Sequence, residues 1–223
     1  QIKICCISSR AETLLAANDG ARALGLVSAM PSGPGVIDEA TIAAIARGVP
    51  PPTATVLLTS RVTGVGIAEQ HQRCRTSAIQ ICDRLDPEEY SILRDLCPDT
   101  ALIQVIHVAG PAAIQEANES AELADGLLLD SGNPGLPVKE LGGTGRVHDW
   151  ELSAEIQRVS SVPVLLAGGL RAGNVSRAIE LVRRWGLDLC SGVRTDGHLD
   201  RRKLTEFMAA ASAVPHLEAE RRE

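Results

Sequence analysis

Aromatic side chains are almost missing from this sequence, and so are other features that mark particular classes of protein. Phe, Tyr and Trp make up 2% of the 223 residues, too few for the stacking platforms that bind single-stranded nucleic acid. Lys and Arg are scattered and the formal net charge is −6, so no basic surface for DNA or RNA is expected. No apolar run reaches the roughly 18 residues of a membrane span. The expected partners therefore include neither nucleic acid nor a membrane.

Metal-site spacing is missing too. The six cysteines show no C-x-x-C pattern, and the histidines show no ligand spacing, so no metal is expected. No basic segment followed by an apolar one opens the chain, which predicts no signal peptide. The cysteines are then expected to be thiols of a cytoplasmic protein, most of them buried. No pattern in the sequence indicates an oligomeric state.

The sequence does contain a repeated alternation of short apolar runs and amphipathic helical patterns. With 44% hydrophobic and 22% charged residues, the chain can bury a full core. The apolar runs are rich in Ile, Val and Leu with little alternation, as in parallel strands covered on both faces. The predicted strands are residues 2–7, 24–29, 55–59, 77–82, 102–108, 126–130, 163–166 and 187–191. The predicted helices are residues 10–19, 38–47, 64–74, 87–96, 112–123, 150–159, 175–185 and 201–214.

Eight successive βα units favour one closed sheet. Repeated βα units form a parallel sheet with right-handed crossovers, and eight of them suit a (β/α)8 barrel, which typically needs about 250 residues. The alternative is an open doubly wound sheet, which usually has a glycine-rich loop after its first strand. Residues 6–9 here are Cys-Ile-Ser-Ser, without glycine. The sequence therefore predicts an α/β fold, a single (β/α)8 TIM-barrel domain over residues 1–223.

Glycine-rich segments follow the last three predicted strands. Glycines let backbone N–H groups approach an anion closely, and a helix N-terminus adds partial positive charge. Barrels often bind phosphate with the loops after strands seven and eight. Such turns can also simply end strands, but three of them at successive positions favour a phosphate site. The residues assigned to it are Gly143, Thr144, Gly145, Gly168, Gly169, Ser191 and Gly192.

A thiol and a carboxylate stand at the ends of two other predicted strands. Cys5 is near the end of the first and Asp130 ends the sixth, so the two should face each other across the barrel mouth. Proton abstraction from carbon and protonation of oxygen need groups on two sides of a substrate. A lone cysteine in a strand is more often a core residue. Asp130 is the stronger candidate, because a buried aspartate needs a partner or a role.

Five segments in this order resemble phosphoribosylanthranilate isomerases of tryptophan biosynthesis. They are Lys-Ile-Cys at 3–5, LLLDS at 127–131, LGGTG-x-x-x-DW at 141–150, LAGGL-x-x-x-NV at 166–175 and LDLCSGV at 187–193. The resemblance covers essentially the whole chain. It implies a (β/α)8 barrel that performs an Amadori rearrangement, an aldose–ketose isomerisation of a phosphorylated aminosugar, without a cofactor.

The resemblance also implies roles. Asp130 matches the general acid that protonates the ribose ring oxygen, so that the ring opens to a Schiff base. Cys5 matches the general base that removes the proton from the sugar C2 carbon, which raises it from an expected core residue to an expected catalyst. The glycine segments match the loops that hold the ribose phosphate.

The chain departs from the family pattern where the anthranilate ring should bind. The family has glycine at position 6, an Arg in the segment that is Ser-Gly-Pro-Gly-Val at 32–36 here, and an acid at position 194. The residues expected on the ring side are Pro34, Cys82 and His107. These departures leave two alternatives open: a divergent isomerase acting on another phosphorylated sugar or aminosugar, or a catalytically weak sugar-phosphate binding protein.

Overall fold

Eight parallel strands close into a barrel in the computed structural model, which describes residues 1–182 and 186–214. The strands are β1 (Ile2–Ile4), β2 (Ala23–Val27), β3 (Ala54–Thr59), β4 (Ala78–Ile81), β5 (Ala101–His107), β6 (Gly126–Asp130), β7 (Val164–Leu166) and β8 (Gly186–Leu189). The helices are α1 (Arg10–Asn18), α2 (Glu39–Gly48), α3 (Gly64–Cys74), α4 (Pro87–Leu96), α5 (Ala112–Ala121), α6 (Trp150–Val159), α7 (Val175–Val182) and α8 (Arg201–Ser212).

The strands pair in chain order, and β8 closes the ring against β1. In that closing pair Lys3 lies opposite Asp188. Between β5 and β6, His107 lies opposite Asp130. All neighbours are parallel, so every strand delivers its carboxyl end to the same mouth. The predicted (β/α)8 barrel is confirmed.

Side chains alternate between the barrel interior and the layer under the helices. On β2, Leu24 and Leu26 pack in the outer layer, while Val27 belongs to the interior cluster with Val56 and Leu128. This is the period of two that every strand imposes. It places Cys5 inward from the end of β1 and, two residues beyond Leu128, Asp130 inward from the end of β6.

Side-chain caps fix where the helices begin. The Ser9 hydroxyl accepts the Glu12 N–H at 3.2 Å, and Asp149 accepts the Glu151 N–H at 2.9 Å, which satisfies N–H groups that lack partners inside the helix. The loops after β1 and β6 therefore end at defined residues, Ser9 and Asp149. In the described part of the chain, no helix is long and apolar enough to cross a membrane.

The predicted first strand, residues 2–7, is too long, because β1 ends at Ile4. Cys5 N–H still donates to Leu189 O at 2.7 Å, but Cys6 has φ +62°. A left-handed residue cannot continue an extended strand, and only glycine signals that conformation in a sequence. The other strand and helix ends within the described residues match the prediction or differ from it by one or two residues. The last three residues of the predicted helix 175–185, and residues 215–223 of the predicted domain, lie outside the described residues.

A small hairpin after β8 was not predicted. Residues Arg194–Thr195 form β9 and His198–Leu199 form β10, and the two pair antiparallel. Asp196 and Gly197 join them with φ +49° and +80°, as in the tight turns that an Asp-Gly dipeptide favours. That dipeptide was the available signal, since two-residue strands are too short to show periodicity.

Candidate active site

A cavity of about 680 Å³, counted to its open mouth, lies at the carboxyl ends of the strands. Its lining includes ten of the residues predicted from the sequence, namely Cys5, Pro34, Cys82, Asp130, Gly143, Thr144, Gly145, Gly168, Gly169 and Ser191. Two predicted residues, His107 and Gly192, are not among the lining residues. The fold thus gathers segments from both ends of the chain into one site.

The Asp130 side chain lies between the loops that follow β6 and β7. Its Oδ1 accepts the Ser131 N–H at 2.7 Å, and its side chain is 8% exposed. A Cβ on Gly142 would lie 2.7 Å from Oδ2, and one on Gly168 would lie 3.3 Å from Oδ1. Both glycines also have positive φ, +131° and +78°. Only glycine backbone can approach the carboxylate this closely on both sides.

Cys5 lies beside a buried ion pair. Lys3 Nζ contacts Asp188 Oδ1 at 2.9 Å inside the barrel. A Cβ on Gly25 would lie 3.0 Å from Cys5 Sγ and 3.1 Å from Lys3 Nζ, so Gly25 leaves room for both groups. Burial lowers the pKa of Lys3, but Asp188 and the nearby thiols raise it by more, which keeps the ammonium charged.

Cys6 and Cys190 bring two more thiols next to Cys5. Cys6 Sγ lies 2.8 Å from Cys190 Sγ and 3.8 Å from Cys5 Sγ. Its other contact is the Pro34 carbonyl oxygen at 3.6 Å. The side chain fits because Gly35 carries none, since a Cβ there would lie 2.5 Å from Cys6 Cβ.

Arg194 holds the turn that carries these cysteines. Its guanidinium donates to Glu12 Oε1 at 2.9 Å, to Cys5 O at 3.0 Å and to Cys6 O at 2.6 Å. The side chain is buried and does not line the cavity. These contacts commit Arg194 to the turn after β1.

The side of the cavity at the ends of β2, β3 and β4 is mainly apolar, and Val27, Met30, Leu58 and Cys82 line it. Pro34 also lines the cavity but lies against Gly143, where a Cβ would be 2.7 Å from Pro34 Cδ. Burial raises the pKa of Cys82 to about 12, so this thiol stays protonated. Within residues 1–182 and 186–214, no Lys or Arg lines the cavity.

His107 was expected on that side but is covered. Its Nε2 lies 3.1 Å from the Cys82 carbonyl oxygen. The backbone of Gly132 packs against the ring so closely that a Cβ there would clash with Nδ1. The loop after β6 therefore separates His107 from the cavity.

The three glycine segments contact one another. Ser131 and Thr144 share a hydroxyl hydrogen bond at 2.8 Å, and a Cβ on Gly145 would lie 3.2 Å from Ser191 Oγ. Gly192 packs against the Leu170 carbonyl, where any Cβ would clash. It supports the loop after β7 from behind, which explains why it does not line the cavity. Just after β8, residues Ser191–Val193 form a turn of 3₁₀ helix.

Sequence reasoning missed three charged or thiol groups at this site: Lys3, Asp188 and Cys190. The first two carried a signal, because each is a charge inside an apolar strand, and buried charges require a partner. Their pairing became visible only from the β1–β8 register.

Comparisons with known proteins agree with this geometry. The family model of N-(5′-phosphoribosyl)anthranilate isomerase matches residues 2–210. The enzyme of that name from Desulforudis audaxviator is 37% identical over 218 residues, which span 94% of this chain and 97% of that one. Its counterpart from Methanocella arvoryzae is 31% identical over 209 residues, 93% and 96% of the two chains. The solved phosphoribosyl anthranilate isomerase of Thermus thermophilus has a TM-score of 0.81 at 25% identity and covers 96% of this chain and 100% of its own. The chain therefore belongs to the phosphoribosylanthranilate isomerase family.

Proposed function

We propose that this protein isomerises N-(5-phosphoribosyl)anthranilate to the corresponding 1-deoxyribulose 5-phosphate, a step of tryptophan biosynthesis. The observation that carries the proposal is one cavity lined by Cys5, Asp130 and the three glycine segments. Family membership supports the same reaction. The proposal includes a cytoplasmic location, which the six free thiols support.

The proposed first step is opening of the ribose ring. Asp130, in its protonated form, donates a proton to the ring oxygen, and the anomeric carbon becomes a Schiff base with the aromatic amine. The carboxylate that results keeps the Ser131 N–H as a donor at 2.7 Å. Hydrogen bonds of this kind favour the charged form as it appears.

The proposed second step is proton removal from C2. The Cys5 thiolate takes this proton, which gives an enolamine that tautomerises to the ketone. The Lys3 ammonium and the Cys6 S–H both lie near Cys5 Sγ. Meanwhile the backbone N–H groups of the glycine segments hold the phosphate, which fixes the sugar between acid and base.

The test is turnover of phosphoribosylanthranilate by the purified protein. We expect product formation well above that of the Cys5→Ala, Asp130→Ala double variant, which keeps the fold but lacks both proposed groups. Turnover equal to that of the double variant would exclude the proposed reaction. Circular dichroism of the variant checks that its fold is intact.

One observation favours a second candidate, an isomerase of a related phosphorylated aminosugar. The cavity's apolar side, with Val27, Met30 and Leu58, offers no cation to a carboxylate. A charge-assisted hydrogen bond is worth about 1.5–3 kcal/mol, so its absence reduces the preference for an anthranilate over an unsubstituted aniline. We would compare kcat/KM for the phosphoribosyl derivatives of anthranilate and aniline. Binding of both without turnover would instead indicate a sugar-phosphate binding protein.

A further inference from the structure

Two cysteines at the rim of the cavity form a pair that the proposed reaction does not use. Cys6 follows the proposed base directly, and Cys190 follows β8. Their sulfur atoms lie 2.8 Å apart. Both residues line the cavity, and Cys190 is the more exposed of the two. A small molecule that enters the cavity can therefore reach this pair.

The turn after β1 brings the sulfur of Cys6 to Cys190. The β1–β8 ladder pairs Ile4 with Leu189, so the next residues along the two strands are Cys5 and Cys190. Cys6 lies one residue further on, where φ is +62°, and its Sγ lies 2.8 Å from Cys190 Sγ. Cys5 and Cys6 are adjacent in the chain, and their Cα separation of about 3.8 Å falls below the range of about 4.4–6.8 Å that a disulfide spans.

We propose that Cys6 and Cys190 form a reversible disulfide by exchange with a small disulfide, and that this bond lowers the reactivity of Cys5. Cys190 attacks the small disulfide, releasing one thiol and forming a mixed disulfide. Cys6 then attacks the Cys190 sulfur and releases the second thiol. Two protein thiols are oxidised, one small disulfide is reduced to two thiols, and the cysteine protons pass to the thiolates that leave.

Exposure and contacts fit Cys190 as the first nucleophile. It is the more exposed of the two thiols, and its S–H donates to Cys6 Sγ at 2.8 Å, which leaves the Cys6 S–H for Cys5. Accessible thiols beside a second cysteine are those that exchange readily.

The effect on Cys5 follows from its lost hydrogen-bond donor. In the reduced protein, the Cys6 S–H donates to Cys5 Sγ at 3.8 Å. A disulfide carries no S–H, so Cys5 Sγ loses this donor and keeps only the nearby Lys3 ammonium. We expect a roughly fivefold slower reaction of Cys5 with iodoacetamide and, resting on the proposed function, a similar fall in kcat.

The first experiment treats the reduced full-length protein with bis(2-hydroxyethyl) disulfide and maps its tryptic peptides. We expect a linked pair that contains residues 4–10 and 185–194, which dithiothreitol separates again. Cys6→Ser should abolish the link, whereas Cys74→Ser, a buried thiol on α3, should retain it. A link that survives Cys6→Ser would assign the bond to Cys5 and overturn the proposal, as would the absence of any link.

The second experiment measures Cys5 in the reduced and the oxidised protein. Alkylation of Cys5 is followed by peptide fragmentation, and isomerase turnover is measured in parallel. Cys190→Ser should make both quantities insensitive to the small disulfide, whatever their starting values. Equal alkylation rates in the two states would overturn the effect on Cys5. The alkylation rate tests the effect on Cys5 even if the protein turns over no phosphoribosylanthranilate. A failure of this inference can therefore be told apart from a failure of the proposed function.

Discussion

At the scale of single residues, the proposed acid and base are supported by different chemistry. Asp130 receives a backbone N–H from its own neighbour, Ser131, and glycine backbone encloses it on both sides. Cys5 instead has the Lys3 ammonium and the Cys6 thiol as neighbours inside the barrel. The two groups can therefore be altered separately.

The substitution Asp130→Asn tests the role of the acid. The amide keeps the shape and the neighbours but cannot donate the proton, so kcat should fall about 10²- to 10⁴-fold, the usual range for general acids. Affinity for a product analogue, measured by calorimetry, should change by less than about threefold. Equal losses in kcat and in affinity would mean that Asp130 only positions the substrate.

At the scale of elements, the loops after β6, β7 and β8 form one unit. Ser131 and Thr144 bond within the first loop, and Gly192 packs behind the loop after β7 through the Leu170 carbonyl. The position of the proposed phosphate site should therefore depend on contacts between loops, in addition to each loop's own glycines.

The substitution Gly192→Ala tests this dependence. Its Cβ would clash with the Leu170 carbonyl, so the loop after β7 must move away. We expect KM to rise about tenfold or more with a smaller change in kcat, and a loss of roughly 1–3 kcal/mol in unfolding free energy, as for overpacking. Gly173→Ala is the matched control, because no atom lies within 4 Å of a Cβ there. Equal KM values for the two variants would show that the loop adapts freely.

Helix α1 and the hairpin β9–β10 are joined through Glu12, which should make the stability depend on pH. Burial raises the pKa of Glu12, but hydrogen bonds from Arg194, Leu199 N–H and Ser8 N–H lower it by more. A carboxylate with a lowered pKa stabilises the fold above its unfolded value of about 4.3, and this stabilisation is lost as the pH falls through the lower, folded value.

The substitution Glu12→Gln should therefore lower the unfolding free energy at pH 7 and reduce its decline below about pH 4.5. Urea unfolding at a series of pH values measures both. Glu155→Gln, at an exposed position on α6, is the control and should follow the unsubstituted protein. A Glu12→Gln curve parallel to the control would contradict the assignment.

The elements were predictable from the sequence to a greater extent than the contacts between them. Apolar runs such as Leu127–Leu129 identified strands because burial on both faces demands continuous hydrophobicity. The left-handed turn at Cys6 was missed, because a cysteine does not signal it, although the glycine that the family has at this position does. The covering of His107 by Gly132 and the commitment of Arg194 to Glu12 depend on distant segments, which local patterns do not encode.

At the scale of the whole molecule, the barrel closes where its first and last strands, β1 and β8, meet. Lys3 on β1 and Asp188 on β8 are 1% and 8% exposed and pair across this closure. Removing one member of a buried pair leaves an uncompensated charge, whereas removing both is often tolerated. The ion pair thus joins β1 to β8 and places a positive charge next to Cys5.

The substitution Lys3→Met should lower the unfolding free energy by roughly 3–5 kcal/mol, and Lys3→Met with Asp188→Leu should recover most of that loss. Both variants lack the Lys3 ammonium. The Cys5 alkylation rate should therefore be lower in each of them than in the unsubstituted protein. Arg202→Met, in the exposed pair with Glu206, should change stability by less than about 1 kcal/mol. A double variant as unstable as Lys3→Met would contradict this account.

The fit of Cys6 against Gly35 has a consequence for how this protein can change. A side chain at position 6 occupies the space that a Cβ at position 35 would need, so the two positions are energetically coupled. Replacing Gly35 by alanine should be more harmful while Cys6 is present than after Cys6→Gly, by an amount that a double-mutant cycle measures. A side chain at position 35 should therefore be better accepted after position 6 has become glycine. That first substitution removes the pair formed by Cys6 and Cys190.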